Sequence, residues 1–212
     1  MDAIQAYISH NWIEILGTIC GVVYLYQELK ASIWMWLTGI IMPTLSLIVY
    51  YETGLYADFG INIYYLCAAV YGFFVWKYGK HSHEKERPIT HTPRNKWLPF
   101  LLTFLICFFV IGIILQTQTD SSVPWWDSFT TALSIVGMWM LAHKWIEQWW
   151  TWVVVDAVSS ALYVYKEIYF FATLYALYTI IAIYGYFKWK EIMMLSSSLQ
   201  ETIPLTPEHS KC

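Results

Sequence analysis

Seven uninterrupted apolar runs govern what this chain can fold into. They cover residues 11–27, 31–51, 57–78, 97–115, 125–142, 148–165 and 168–189, each close to the roughly 17–25 residues a helix needs to cross about 30 Å of hydrocarbon. Inside a bilayer the backbone must satisfy its own hydrogen bonds, so only helices or closed barrels span it. Runs this long exclude barrel strands, which need only about 9–11 residues. The expected class is therefore an all-α integral membrane protein with seven transmembrane helices. Charged residues make up 13% of the 212, about half the roughly 25% of a soluble domain, which excludes a soluble enzyme.

The loop cations test the count independently, since a wrong number of spans would scatter them over both sides. With seven spans one side receives Lys30, Lys77, Lys80, Lys85, Arg87, Arg94, Lys96, Lys144, Lys188, Lys190 and Lys211, and the other only Lys166. The positive-inside bias then puts the C-terminus in the cytoplasm and the N-terminus outside. The opening Met1 to Gln5 has no basic stretch and the first cation is Lys30, so no cleavable signal peptide is expected. Residues 190–212, with Ser196-Ser197-Ser198 and Pro204, are expected to form a disordered cytoplasmic tail. His81, His83 and His91 read as solvated loop residues, and Cys20, Cys67, Cys107 and Cys212 lack metal or redox spacing. No cofactor and no metal is expected.

The chain also repeats itself. Tyr56, Tyr71-Gly72 and Trp76 in the third span are matched by Tyr169, Tyr184-Gly185 and Trp189 in the seventh. The second and sixth spans open with Trp34-Met35-Trp36 and Trp150-Thr151-Trp152, the first and fifth with Trp12-Ile13-Glu14 and Trp125-Trp126-Asp127. This predicts a three-helix repeat over 11–78, a linker helix over 97–115 and a second repeat over 125–189. An odd unit needs the extra helix if both copies are to lie parallel, an arrangement in which substrate binds near the midplane between them. Near Gly39 and Pro43 the copies are expected to differ by a few residues, making Pro43 a candidate hinge. Gly72 and Gly185 are expected to allow close helix packing, and Trp12, Trp76, Trp125 and Trp189 to anchor span ends at the interface. Glu14, Asp58 and Asp127 read as helix-start or entrance residues.

Ionisable and polar groups at membrane depth are expensive and mark pathways. Asp156 lies in the middle of the sixth span, with Trp152 four residues before it and Ser159 and Ser160 three and four after, so one helix face offers a ring, a carboxylate and hydroxyls. A flat cationic ring would stack on such a tryptophan and meet its counter-charge in the carboxylate. Asn62 in the third span and the mid-span rings Tyr65, Trp139 and Tyr178 complete the candidate substrate site. A retinal protein would need a lysine deep in the last span, whereas Lys188 and Lys190 stand at its end. An intramembrane enzyme would need a nucleophile with a base or a metal-ligand pair, and a Gly-rich phosphate loop is absent.

The stretch Trp126-Asp127-Ser128, Leu133-Ser134-Ile135-Val136, Lys144-Trp145-Ile146-Glu147-Gln148-Trp149, Trp152-Val153-Val154-Val155-Asp156 and Leu162-Tyr163-Val164-Tyr165-Lys166 resembles the PnuC family of vitamin transporters, over about residues 10–190. The resemblance implies a three-plus-one-plus-three layout like that of the SWEET sugar facilitators, frequent homo-oligomers, and facilitated diffusion of an unphosphorylated vitamin across the bacterial inner membrane. A cytoplasmic kinase would then trap the substrate. The family default is nicotinamide riboside. Asp156 stands where such carriers often have Asn, and the segment from Gly54 to Asn62 is similar to the thiamine branch, so thiamine is the alternative; riboflavin is taken by other relatives.

Overall fold

The structure is a computed structural model that describes residues 19–52, 56–79 and 87–202. Among them are helix α1, described over 19–29, then α2 Trp34–Glu52, α3 Tyr56–Tyr78, α4 Trp97–Gln118, α5 Pro124–Ala142, α6 Gln148–Tyr165 and α7 Tyr169–Thr202, with a short 3-10 turn Arg94–Lys96 before α4. The only extended pairing among the described residues is an isolated bridge between Thr90 and Trp145. Over the described residues, which exclude 11–18 of the first span, the expected spans and the observed helices agree to within a few residues, except at the end of α7. There the helix continues to Thr202, so residues 190–202 are helical and not a disordered tail. Along this extension Lys188 pairs with Glu191 one turn on, and Ser196, Ser197 and Ser198 return their hydroxyls to carbonyls three or four residues back. Ile192 and Met193 also pack on the core. Trp12, Glu14, His81, His83 and residues 203–212 lie outside the described residues.

Segments Arg94–Gln118 and Tyr169–Ser198 are long and apolar enough to cross a membrane, and within an apolar 18-residue window of each only 11% and 17% of the residues are buried. Among α2 to α7, α4 packs against α5 alone, leaving Leu98, Leu101, Leu102, Ile106, Phe109 and Ile113 exposed. In water such a stripe would cost about 25 cal/mol for each Å²; lipid solvates it.

The interior is organised by contacts that recur at a fixed spacing. Gly72 lies under the ring of Trp36 and Gly185 under that of Trp149, the second pair standing 113 residues after the first (185 − 72). At the same spacing Trp36 meets Trp76 edge-on at 5.5 Å, and Trp149 meets Trp189 edge-on at 5.6 Å. The turns between α1 and α2 and between α5 and α6 also match. Ala31 and Lys144 both take the left-handed conformation, with φ of 50° and 53°. Their amides donate to Glu28 and Leu141, each at 2.9 Å. Two further bonds cross between the units: the Trp76 indole N–H donates to the Leu141 carbonyl at 3.2 Å, and that of Trp189 to the Glu28 carbonyl at 2.8 Å.

These contacts correct two expectations. Trp76 and Trp189 are fully buried and are core residues, not interfacial anchors. Their rings meet at 6.4 Å, so Trp36, Trp76, Trp149 and Trp189 form one knot at the cation-rich end of the bundle. Trp125 instead lies over Gly112 and against Phe108 and Phe109 of α4. The structural counterpart of Trp36 is Trp149, whereas the sequence comparison set Trp36 beside Trp152. The apparent length difference near Gly39 and Pro43 therefore disappears, and Pro43 becomes the counterpart of Asp156. Helix α2 runs through Pro43 without ending.

Candidate substrate cavity

Two cavities meet in the middle of the bundle. The first, about 370 Å³, is walled by Tyr24 and Glu28 of α1, Trp36, Thr38 and Pro43 of α2, Tyr65 of α3, Trp149, Trp152 and Asp156 of α6, and Tyr175 and Tyr178 of α7. The second, about 550 Å³, extends away from the tryptophan knot past Thr130, Thr131 and Ser134 of α5 and Ser159 of α6 to Asp127 and Lys166. Tyr65, Trp152, Asp156 and Tyr175 belong to both. One lobe is thus mostly aromatic and the other mostly hydroxyl-lined, with a carboxylate at their junction.

Asp156 is 8% exposed, and no hydrogen-bond donor among the described residues reaches its carboxylate. A buried carboxylate without donors is costly unless something else supplies a positive charge. Three indole N–H groups, on Trp36, Trp149 and Trp152, are buried and meet no acceptor among the described residues. All three residues line the aromatic lobe. Buried donors are normally paired, so this lobe suits a ligand that brings oxygen or nitrogen acceptors. Space for the rings comes from small residues opposite them. A Cβ on Gly137 would sit 3.5 Å from the Trp152 ring, and one on Gly39 3.2 Å from the Tyr24 ring. The two positions on each side are again repeat counterparts with the aromatic moved to the other helix.

The structure brings together Trp152, Asp156, Tyr65 and Tyr178 at the aromatic lobe and Ser159 at the polar one. It does not bring in Trp139, whose ring packs edge-on against Phe100 of α4 at 5.4 Å, nor Asn62, which lines neither cavity. Trp139 projects from the α4 side of α5, and span depth alone did not reveal that. Ser160 also leaves the Asp156 face and donates to the Ala172 carbonyl of α7 at 2.8 Å. Residues missed from sequence include Tyr24, Glu28, Trp36, Trp149 and Tyr175. Trp149 and Tyr175 had a usable signal, since each lies three residues before a residue already chosen.

At the outer end of the polar lobe Asp127, in the first turn of α5, accepts from Lys166 at 3.2 Å and from Ser121 at 2.7 Å. It is a helix-start acid that also lines the polar lobe. At the cation-rich end the segment before α4 is clasped to the α5–α6 turn. Thr90 exchanges backbone bonds with Lys144 and Ile146, and Thr92 donates its N–H and hydroxyl to Glu147 Oε2, both at 2.8 Å. His91 Nδ1 stands 2.7 Å from Glu147 Oε1, so His91 is tied to a partner and is not simply a solvated loop residue. Burial alone would raise the Glu147 carboxyl, but the bonds from His91 and Thr92 outweigh it and hold the group below its ordinary range. A depressed carboxylate contributes stability above its unfolded pKa and loses it as pH falls through the folded value. The clasp is expected to protect the Thr92 amide from hydrogen exchange at pH 7 and to release it as pH falls through the depressed carboxyl pKa of Glu147. Glu147→Gln should weaken it by about 1–2 kcal/mol and flatten that pH response; an unaltered acid release in E147Q would assign it to another group.

Comparison with known proteins fits this geometry. The sequence profile of the nicotinamide mononucleotide transporter family matches residues 11–191. The chain belongs to that family. It is a family of transporters, not of enzymes. Among its relatives, the nicotinamide riboside transporter PnuC of Escherichia coli is 25% identical over 206 residues, covering 84% of this chain and 85% of the relative. PnuC of Haemophilus influenzae is 22% identical, covering 90% and 85%. The riboflavin/roseoflavin transporter RibM of Streptomyces davaonensis is 22% identical, covering 84% of each chain. The crystal structure of the vitamin B3 transporter PnuC superposes with a TM-score of 0.67 at 20% identity, covering 92% of this chain and 87% of that one. The fold is therefore that of this family of membrane transporters.

Proposed function

We propose that this protein carries nicotinamide riboside across the bacterial cytoplasmic membrane by facilitated diffusion, with phosphorylation inside the cell trapping the product. The observation that carries this reading is the Asp156 carboxylate, met by no donor among the described residues and shared by both lobes beside Trp152, Tyr65 and Tyr175. The pyridinium ring stacks on Trp152 in the aromatic lobe and takes Asp156 as its counter-charge. Its carboxamide and ribose supply acceptors for the unpaired indole donors, and the ribose hydroxyls meet Thr130, Thr131, Ser134 and Ser159. Relatives named as nicotinamide riboside transporters support the substrate. Thiamine, also a cationic ring, is the second reading, favoured by the carboxylate itself.

The units 11–78 and 125–189, joined by the helix at 97–115, act as two parallel repeats that rock about the cavity, with Pro43 as a hinge in the first. The N-terminus lies outside and the cation-rich end in the cytoplasm, so the four-tryptophan knot closes the inner side. The test is binding and uptake by purified protein in vesicles, comparing nicotinamide riboside, thiamine and riboflavin without ATP or an ion gradient. Uptake of nicotinamide riboside should proceed, and Trp152→Ala should weaken its binding about tenfold, on the order of 1–2 kcal/mol for a desolvated cation–ring contact. An absolute requirement for ATP or a gradient would refute passive transport, and failure to bind any of the three vitamins would remove the reading altogether.

A further inference from the structure

We propose that Glu28 is a second cation-binding residue on the path, which takes the positive ring from Asp156 as the substrate moves toward the cation-rich end. The inference rests on the functional reading above. Glu28 lines the same aromatic lobe as Asp156 but comes from α1, in the other three-helix unit. Glu28 is 4% exposed, and the four-tryptophan knot lies beside it, with the Trp189 indole on its own backbone carbonyl.

The repeat shows that the scaffold does not require either acid. The counterpart of Glu28 is Leu141, whose carbonyl accepts the equivalent indole bond, and the counterpart of Asp156 is Pro43. Each unit therefore builds the same turn and the same knot with an apolar residue where the other has a carboxylate. Nor does local bonding account for Glu28. Among the described residues its carboxylate receives one long bond, 3.4 Å, from Gln148 Nε2, and the fully buried Gln148 amide oxygen meets no partner among them. Gln148 is itself a polar replacement for its counterpart Met35. One weak bond does not offset the burial of a carboxylate, whereas a passing cation would. Tyr24, one turn earlier on α1, also lines the lobe. The nearby Lys144 ammonium lies 4.1 Å over the Trp76 ring.

A cation held by Asp156 alone would leave slowly, because conduction needs binding sites weak or numerous enough to release. A second carboxylate at the inner end lets the ring exchange one counter-charge for another before the knot opens. The orphan Gln148 oxygen then has the carboxamide N–H groups within its chemistry as a partner.

The test uses wild-type protein, E28Q and E28D in vesicles, with three solutes: nicotinamide riboside, thiamine, and the dihydropyridine form of nicotinamide riboside, which has the same shape and no ring charge. E28Q should slow uptake of both cations at least tenfold and leave uptake of the uncharged form within twofold of wild type, while E28D restores cation uptake in part. An equal fall for charged and uncharged solutes would mean that Glu28 only ties the helices together, and unchanged cation uptake would remove the second station. Both results overturn the proposal while wild-type cation uptake still upholds the functional reading. A wild type that moves only uncharged solutes overturns both. A thermal melt followed by intrinsic tryptophan fluorescence checks that E28Q is folded.

Discussion

Asp156→Ala should weaken binding of a cationic vitamin by roughly 30- to 1,000-fold, measured by titration calorimetry on the purified protein. The range is the about 2–4 kcal/mol that a desolvated charge contributes when its partner is removed, at 1.4 kcal/mol per tenfold. The carboxylate can be this influential because it is nearly buried and no donor among the described residues competes for it. A neutral vitamin such as riboflavin should lose far less, since for it the substitution relieves an unpaired charge. Equal losses for charged and neutral ligands would show that alanine disturbs the wall and that no counter-charge was removed. Asp156→Asn refines the result: it keeps the shape and a hydrogen-bonding oxygen. If nicotinamide riboside still binds to D156N while thiamine does not, the charge at this position sets the choice between the two substrates.

The second large effect is on packing. Gly185→Ala places a methyl group 2.5 Å from atoms of the Trp149 ring, and Gly72→Ala one 2.3 Å from the Trp36 ring. Both rings are fully buried and wedged edge-on against Trp189 and Trp76, so neither can swing aside cheaply. Each substitution should cost about 1–3 kcal/mol by overpacking and lower the melting temperature of the detergent-solubilised protein. Trp149 also lines the aromatic lobe, so G185A should weaken substrate binding too. Gly21→Ala is the control, because nothing lies within 4 Å of its added methyl group; its melting temperature should hold or rise with the better helix propensity of alanine. In a double-mutant cycle Trp149→Leu should absorb most of the G185A cost. Strictly additive losses would mean that the ring is not what the methyl group meets.

How much of this was legible beforehand differs by element. Asp156 and Trp152 were readable together because a helix places residues four apart on one face, and the bilayer makes any mid-span carboxylate conspicuous. Ser159 followed from the same face. Trp139 satisfied the same depth argument and failed, because depth does not tell which neighbour a helix face meets; α4 was on that side. Glu28 failed for the opposite reason. It falls in a short break between two apolar runs, where acids are ordinary turn residues, and only the approach of Gln148 from α6 turns that place into interior. Trp76 and Trp189 were assigned to the interface because tryptophan near a span end usually belongs there. In this chain the other unit covers them, each indole reaching across to the opposite carbonyl.

Sequence by itself determined the seven helices and the membrane class, because hydrocarbon thickness and backbone satisfaction act on each segment alone and leave their mark in run length and loop charge. It also held the recurrence of Tyr, Gly and Trp between the third and seventh spans. The tertiary structure alone decided which residues became a site. The register of 113 residues, the pairing of each glycine with a tryptophan from another helix, and the opposition of Glu28 to Asp156 across one cavity all depend on how separate helices face one another. That facing is set by side-chain packing between segments over a hundred residues apart, which no local pattern encodes.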